Sequence, residues 1–366
     1  MILGLVGILT VSITNPIPIL GYEQTIIDII DQIPPPCSVE VNPKTNTVYV
    51  ISRNSQVSVL DGFTNKFLGN FTVGENPCEA TINTESNMLY VSNESSGSVD
   101  IIDGETNKKV TSFKVKDPYD ISINPKTNMI YVTSDLDGIV YVIDGDTNSV
   151  IETLEVPKPC GISVNEETNM IYVSSESTDS VRVIDGLTNQ IVANVTIGDN
   201  PRGVDVNSNT NIIYIANTGS DTLTVIDGFT NQVVDTIKVG KAPWRVDVDQ
   251  LRNTIYVTNL ISGSVSVIDG STNKILKTVS VDTPFDISVN PLTNKVYVTS
   301  TLTLTVMEGY QKDILPLKQQ IIGGVFPDFL KCKEGFELIF KSTDNSPACV
   351  KPESIPKLIE RGWAKS

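Results

Sequence analysis

The chain has 366 residues, 40% hydrophobic and 19% charged, a composition that supports a folded protein rather than a disordered one. Its net charge of −16 repels phosphate backbones and argues against nucleic acid as a partner. It contains no histidine, which excludes a Ser-His-Asp triad, His-ligated zinc or copper and c-type haem attachment within this chain. The charge is uneven: from Tyr310 onward there are nine basic and seven acidic residues, so the acidic character belongs to what precedes.

In chain order, residues 1–13 are almost entirely apolar and uncharged. They read as the hydrophobic part of a secretory leader spanning 1–20, with a buried N-terminal strand as the alternative; they are short for a membrane span. Export would place the protein outside the cell or at its surface, and the chain does not read as an integral membrane protein. Three sequons begin at Asn70, Asn93 and Asn194.

A repeat fills residues 22–309. Asp-Gly-x-Thr-Asn recurs at Asp61, Asp103, Asp144, Asp185, Asp227 and Asp269, spaced 42, 41, 41, 42 and 42 residues apart, with a degenerate copy at Glu308-Gly309. A Tyr followed by Val or Ile recurs with the same period at Tyr49, Tyr90, Tyr131, Tyr172, Tyr214, Tyr256 and Tyr297. Within one unit, residues 118–123, 129–133, 139–143 and 150–156 read as short strands separated by Asn-, Asp- and Gly-rich turns. Four antiparallel strands repeated seven times predict an all-β, seven-bladed β-propeller, in which each blade buries its faces against its neighbours. The seventh unit lacks a clear fourth strand; residues 24–33, just before the first blade, resemble fourth strands and are expected to close the ring. The Asp-Gly-x-Thr-Asn segments read as hairpin turns, with Gly tolerating positive φ, rather than calcium loops. The repeated Tyr is expected to pack between blades.

The residue after the Pro that opens each unit varies: Cys37, Cys78, Tyr119, Cys160, Arg202, Trp244 and Phe285. The next is Ser38, Glu79, Asp120, Gly161, Gly203, Arg245 or Asp286; two further on stand Glu40, Thr81, Ser122, Ser163, Asp205, Asp247 and Ser288. These positions start the innermost strand and converge on one mouth of the central channel. Tyr119, Trp244 and Phe285 could stack on a sugar or a side chain, and Arg202 and Arg245 could pair with a carboxylate. Glu79, Asp120 and Asp286 could hold a hard cation such as Ca²⁺; no other cofactor is expected. The alternative is a channel plug, in which these groups fill space and pair with one another.

Of five cysteines, Cys332 and Cys349 lie in the tail and are the expected disulfide. Cys37 and Cys78, at equivalent positions on adjacent blades, could pair if their Cα atoms come within about 7 Å, leaving Cys160 free. Residues 310–330 read as a linker and 331–366 as a small α+β appendage: a strand at 331–341, a turn, and a short helix at 352–361 stopped by Gly362.

The units resemble the YVTN family of β-propeller repeats of bacterial and archaeal surface proteins. Tyr256-Val257-Thr258-Asn259 is the motif verbatim, and Tyr90-Val91-Ser92-Asn93 and Tyr214-Ile215-Ala216-Asn217 are close. The resemblance covers about residues 24–308 and implies the fold rather than an activity. The tail resembles a Cys-paired C-terminal segment on exported proteins of ammonia-oxidising archaea, which implies an envelope context. The expectation is therefore a non-enzymatic binding or scaffold protein of the cell envelope, taking a protein or glycan at the channel mouth. The alternative is a metal-dependent hydrolase or lactonase using Glu79, Asp120 and Asp286.

Overall fold

The computed structural model describes residues 26–310, 332–333, 335–344 and 346–364. The leader and nearly all of the linker lie outside them. The alternating apolar runs and tight turns form seven four-stranded antiparallel sheets, each a blade of one ring. Blade 1 consists of Pro36–Asn42, Thr47–Ser52, Gln56–Asp61 and Phe67–Thr72, from the channel outward, and the next five blades open at Pro77, Pro118, Pro159, Pro201 and Pro243.

Ring closure uses the N-terminus. Blade 7 has Ile287–Asn290, Lys295–Thr299 and Leu304–Glu308, and its outer strand is Ile26–Ile30, antiparallel to Leu304–Glu308 with Ile30 opposite Leu304. The first strand of the ring therefore locks onto the last blade.

The core is divided by blade junction rather than by blade. Tyr49 and Val57 of blade 1 pack with Ile82, Leu89 and Val91 of blade 2, and Tyr297 and Val306 of blade 7 pack with Val39, Val48 and Leu60 of blade 1. Each repeated Tyr is buried in such a junction, and Tyr297 Oη also donates to the Gly62 carbonyl of the neighbouring blade at 3.1 Å.

The turn motifs hold the blades as well as reverse the chain. In the Asp-Gly-x-Thr-Asn turn, Asp61 Oδ1 accepts from the backbone N–H groups of Phe63 and Thr64 at 3.1 and 2.7 Å. The positive φ falls on Asn65 (58°), not on the glycine. Gly62 is required for a different reason than the turn reading gave: a Cβ there would lie 2.4 Å from Asn46 Oδ1. At the end of each inner strand, an Asn caps its own turn and reaches across. Asn165 Oδ1 accepts from Glu167 N at 3.0 Å while its Nδ2 donates to Asn211 Oδ1 of the next blade at 2.7 Å. Equivalent Asn pairs bridge Asn42 to Asn87, Asn83 to Asn128, Asn124 to Asn169, Asn207 to Asn253 and Asn290 to Asn46. In blade 6 the Asn is replaced by Asp249, which pairs with Arg252 Nη1 at 2.8 Å, and that guanidinium donates to the Pro291 carbonyl of blade 7 at 3.1 Å.

In the tail, Cys332 and Cys349 form a disulfide with Cα atoms 5.6 Å apart. Strands Glu337–Phe340 and Pro347–Val350 pair antiparallel, and a 3₁₀ turn leads into the helix Ile355–Glu360. The strand is shorter than the expected 331–341. Among the described residues no helix is long and apolar enough to cross a membrane.

Candidate binding site at the channel mouth

Each inner strand begins at the same end of the channel, and in four blades a hydroxyl on the second strand ties it to the next blade's inner strand. Thr133 Oγ1 donates to the Cys160 carbonyl of the next blade at 3.0 Å, Ser174 Oγ to that of Arg202 at 2.6 Å, and Thr258 Oγ1 to that of Phe285 at 3.0 Å. Tyr119, Cys160, Arg202 and Phe285 at this mouth are thus mounted on backbone fixed from the preceding blade.

Glu79, Asp120 and Asp286 come together as expected, but around a side chain of the chain itself. Arg245 reaches across the channel: its Nη2 lies 2.5 Å from Glu79 Oε2, its Nη1 2.8 Å from Asp120 Oδ2, and its Nε 3.9 Å from Asp286 Oδ1. Glu79 also accepts from Ser38 Oγ. Blades 4 and 5 have Gly161 and Gly203 at the acidic position. A Cβ on Gly161 would lie 2.2 Å from the Arg202 carbonyl oxygen, and one on Gly203 2.8 Å from Arg245 Cα, so these strands approach too closely for any side chain. Burial opposes the charge of Arg245, but Asp120 and Glu79 outweigh it and hold the guanidinium protonated far above its ordinary range. Three carboxylates against one guanidinium leave excess negative charge: burial, followed by the charge of Asp286, pushes Glu79 well up, and burial raises Asp286 against the pull of Arg245.

Two of these carboxylates also fasten the ring. The inner strand is an edge strand with unpaired N–H groups. Asp286 Oδ2 accepts from Val39 N of blade 1 at 2.9 Å and Asp120 Oδ2 from Ile162 N of blade 4 at 3.3 Å. Deeper in the channel, Glu40 accepts from Ile82 N at 3.0 Å, Asp205 from Val248 N at 2.8 Å and Asp247 from Val289 N at 2.6 Å. Among the described residues no ion pair neutralises this second group. Burial raises Glu40 to about 8 and Asp205 to about 6, and burial with the charge of Asp205 raises Asp247 well above the usual range.

Arg202 does not join Arg245. It stacks on Trp244 at 4.2 Å from the ring centre and its Nη2 lies 3.5 Å from Glu176 Oε2, while Glu176 Oε1 accepts from Lys158 at 2.9 Å. Between this rim and blades 1 to 3 lies a cavity of about 310 Å³, lined by Tyr119, Trp244, Arg245, Phe285, Asp286 and Glu79 together with Pro35, Pro36, Cys37, Arg53, Cys78 and Thr301. Tyr119 lies under Arg245 at 6.0 Å. Sequence comparison of the units did not single out Arg53, Glu176 or Thr301, because they sit in the turns between second and third strands, outside the position that varied after the opening Pro.

Cys37, Cys78 and Cys160 are free thiols. Cys37 Sγ donates to the Pro77 carbonyl (3.4 Å) and Cys78 Sγ to Glu94 Oε2 (3.0 Å), rather than to each other. Burial pushes Cys37 and Cys160 up to about 12, and Cys78 upward as well, with Glu94 adding to the effect. Protonated thiols are poor metal ligands. Among the described residues no group of three or more Asp, Glu or Cys side chains is arranged to hold a metal ion. No protein-family model matches this chain, and a search of curated proteins finds no relative.

Proposed function

We propose that the chain is a non-enzymatic binding or scaffold propeller of the YVTN type, exported to the cell surface or envelope of an archaeon, which takes a protein or glycan partner at the channel mouth. The observation that carries this reading is the mouth cavity: open aromatic surface from Tyr119, Trp244 and Phe285 beside charged groups, with the backbone at Tyr119 and Phe285 held by hydrogen bonds from the preceding blade. A rigid ring that presents varied side chains at one end suits recognition. The apolar leader and the resemblance of the tail support the envelope location. The alternative of a metal-dependent hydrolase or lactonase would need Glu79, Asp120 and Asp286 as ligands or base, and Glu79, Asp120 and Asp286 Oδ2 are engaged by Arg245, Ser38 and backbone N–H groups.

The test is to screen the full chain against glycan and peptide arrays and repeat the screen with Trp244→Ala and Tyr119→Ala. Hits lost in these variants but kept when Gln250 at the opposite mouth is replaced by Ala support the reading. Hits indifferent to the mouth variants, or turnover of lactones and phosphoesters lost with Asp120→Asn, overturn it.

A further inference from the structure

Resting on the reading of this mouth as a binding site, we propose that its cavity takes an organic cation, an ammonium or guanidinium group, seated against Asp286 and the faces of Phe285 and Tyr119. Charge is the first argument. Glu79, Asp120 and Asp286 bring three carboxyl groups to one region, where a single guanidinium, Arg245, answers them. A cation beside Asp286 would favour its charged form, as Arg245 already does from further away. Position is the second. Arg245 binds Glu79 and Asp120 at hydrogen-bond distance but stands 3.9 Å from Asp286 Oδ1, beyond it. Asp286 lines the cavity and is only 7% exposed, so a cation reaching it is poorly screened by water.

Chemistry of the walls is the third. Aromatic faces beside a carboxylate favour cations, and the mouth already uses this contact twice, with Arg202 over Trp244 and Arg245 over Tyr119. The chain's net charge of −16 draws cations towards it from a distance. Arg53 offers the opposite possibility, an anion, but it is exposed and its guanidinium already donates to Asn76 Oδ1 at 3.1 Å. The cation has two sources, a Lys or Arg side chain of a protein partner or a free amine.

The experiment titrates the full chain with N-acetyl-lysine methylamide, N-acetyl-arginine methylamide, butylammonium, the uncharged N-acetyl-norleucine methylamide and the anionic N-acetyl-glutamate methylamide. Binding is followed by calorimetry and by Trp244 fluorescence in a Trp363→Phe background. The cationic probes should bind at least tenfold more tightly than the norleucine probe. Asp286→Asn, which keeps an oxygen to accept from Val39 N, should erase that preference, and Phe285→Leu should weaken the cations several-fold with little change for norleucine. Tighter binding of the blocked amino acids than of butylammonium assigns the cation to a protein side chain; equal binding assigns it to a free amine. Equal affinity for norleucine, or a preference for the glutamate probe that Arg53→Gln removes, overturns the proposal. So does silence from every probe. In that case array hits that depend on Trp244 would leave the binding reading standing, and their absence would remove it too.

Discussion

The channel holds two groups of three carboxylates, one buried at the mouth and one half-buried below it, that differ in their counter-charge. At the mouth, Glu79, Asp120 and Asp286 surround Arg245. Deeper, Glu40, Asp205 and Asp247 have hydrogen bonds from Val248, Val289, Ile82 and Ser163 but no guanidinium. Arg245 counters the rise that burial imposes on Glu79 and Asp286, whereas no cation counters it for Glu40 and Asp247. Equal acid content in one channel thus gives two electrostatic regimes, decided by one residue of blade 6.

The largest effect should come from removing that residue. Arg245→Ala leaves three buried carboxylates without their cation, a change of about 3–5 kcal/mol in unfolding free energy. Denaturant titration at pH 7 measures it. The loss should shrink in acid, where the carboxylates take up protons, and a variant as stable as the parent would show that the guanidinium is not what holds the group. Arg202→Ala is the control, since a partly exposed stacked guanidinium contributes about 1 kcal/mol.

The deeper group makes a prediction of its own for pH. A carboxyl whose pKa is higher folded than unfolded binds more protons in the native state, so its stabilisation is complete below the unfolded pKa and disappears as pH rises through the folded one. Glu40 at about 8 and Asp205 at about 6 place that decline between roughly pH 4 and pH 8. The chain should therefore lose about 2 kcal/mol across this range, a figure reduced because Glu40 is only half-buried. Glu40→Gln should flatten the slope when unfolding is followed from pH 5 to pH 8.5. An unchanged slope would assign the effect elsewhere.

How much of this was visible beforehand depends on the kind of constraint. Seven blades, ring closure by the N-terminal strand and the position of the mouth follow from period and alternation, which the backbone imposes on every unit. The partners at the mouth do not. Arg245 meets Asp120 and Glu79 across 125 and 166 residues, and unit comparison shows that they vary, not that they pair. Some of the missing detail was present as small irregularities. The units that end the Tyr motif in Asn93, Asn217 and Asn259 follow links containing Gly74, Gly198 and Gly240, where a Cβ would lie 2.6 to 2.8 Å from that Asn side chain. These links open the blades reached by the 42-residue spacings, so the extra residue and the final Asn are one packing solution. Similarly, Asn93 is a sequon by pattern but fully buried, donating to the Val91 carbonyl, whereas Asn70 and Asn194 are exposed on outer strands.

Below the two acidic groups in size of effect lies the ring of Asn bridges at the far end of the inner strands. Asn165→Ala removes one inter-blade hydrogen bond and one turn cap from a fully buried site, and should cost about 1–2 kcal/mol. At the sixth junction the same work falls to Asp249 and Arg252, so Arg252→Ala should cost at least as much because Asp249 is buried. Equal denaturation midpoints for parent and Asn165→Ala would mean that the junction cores alone fix the blades.

The smallest effect concerns the mouth's thiols and separates its acidic floor from a reactive one. Cys37 and Cys160 are held near 12 chiefly by burial, and Cys78 is raised further by its hydrogen bond to Glu94. At pH 8 almost none of each is thiolate, so alkylation of the native chain should run orders of magnitude more slowly than for an exposed thiol. Arg245→Met leaves the negative charges of Glu79 and Asp286 facing Cys37, which raise its pKa further, so the variant should be no more reactive while it stays folded. Rapid labelling of Cys37 in the parent, read by mass after tryptic digestion, would show that the mouth opens more than its hydrogen bonds allow. Slow labelling in both proteins would mean that the two acidic groups differ in charge pairing while the thiols beside the first are closed in either case.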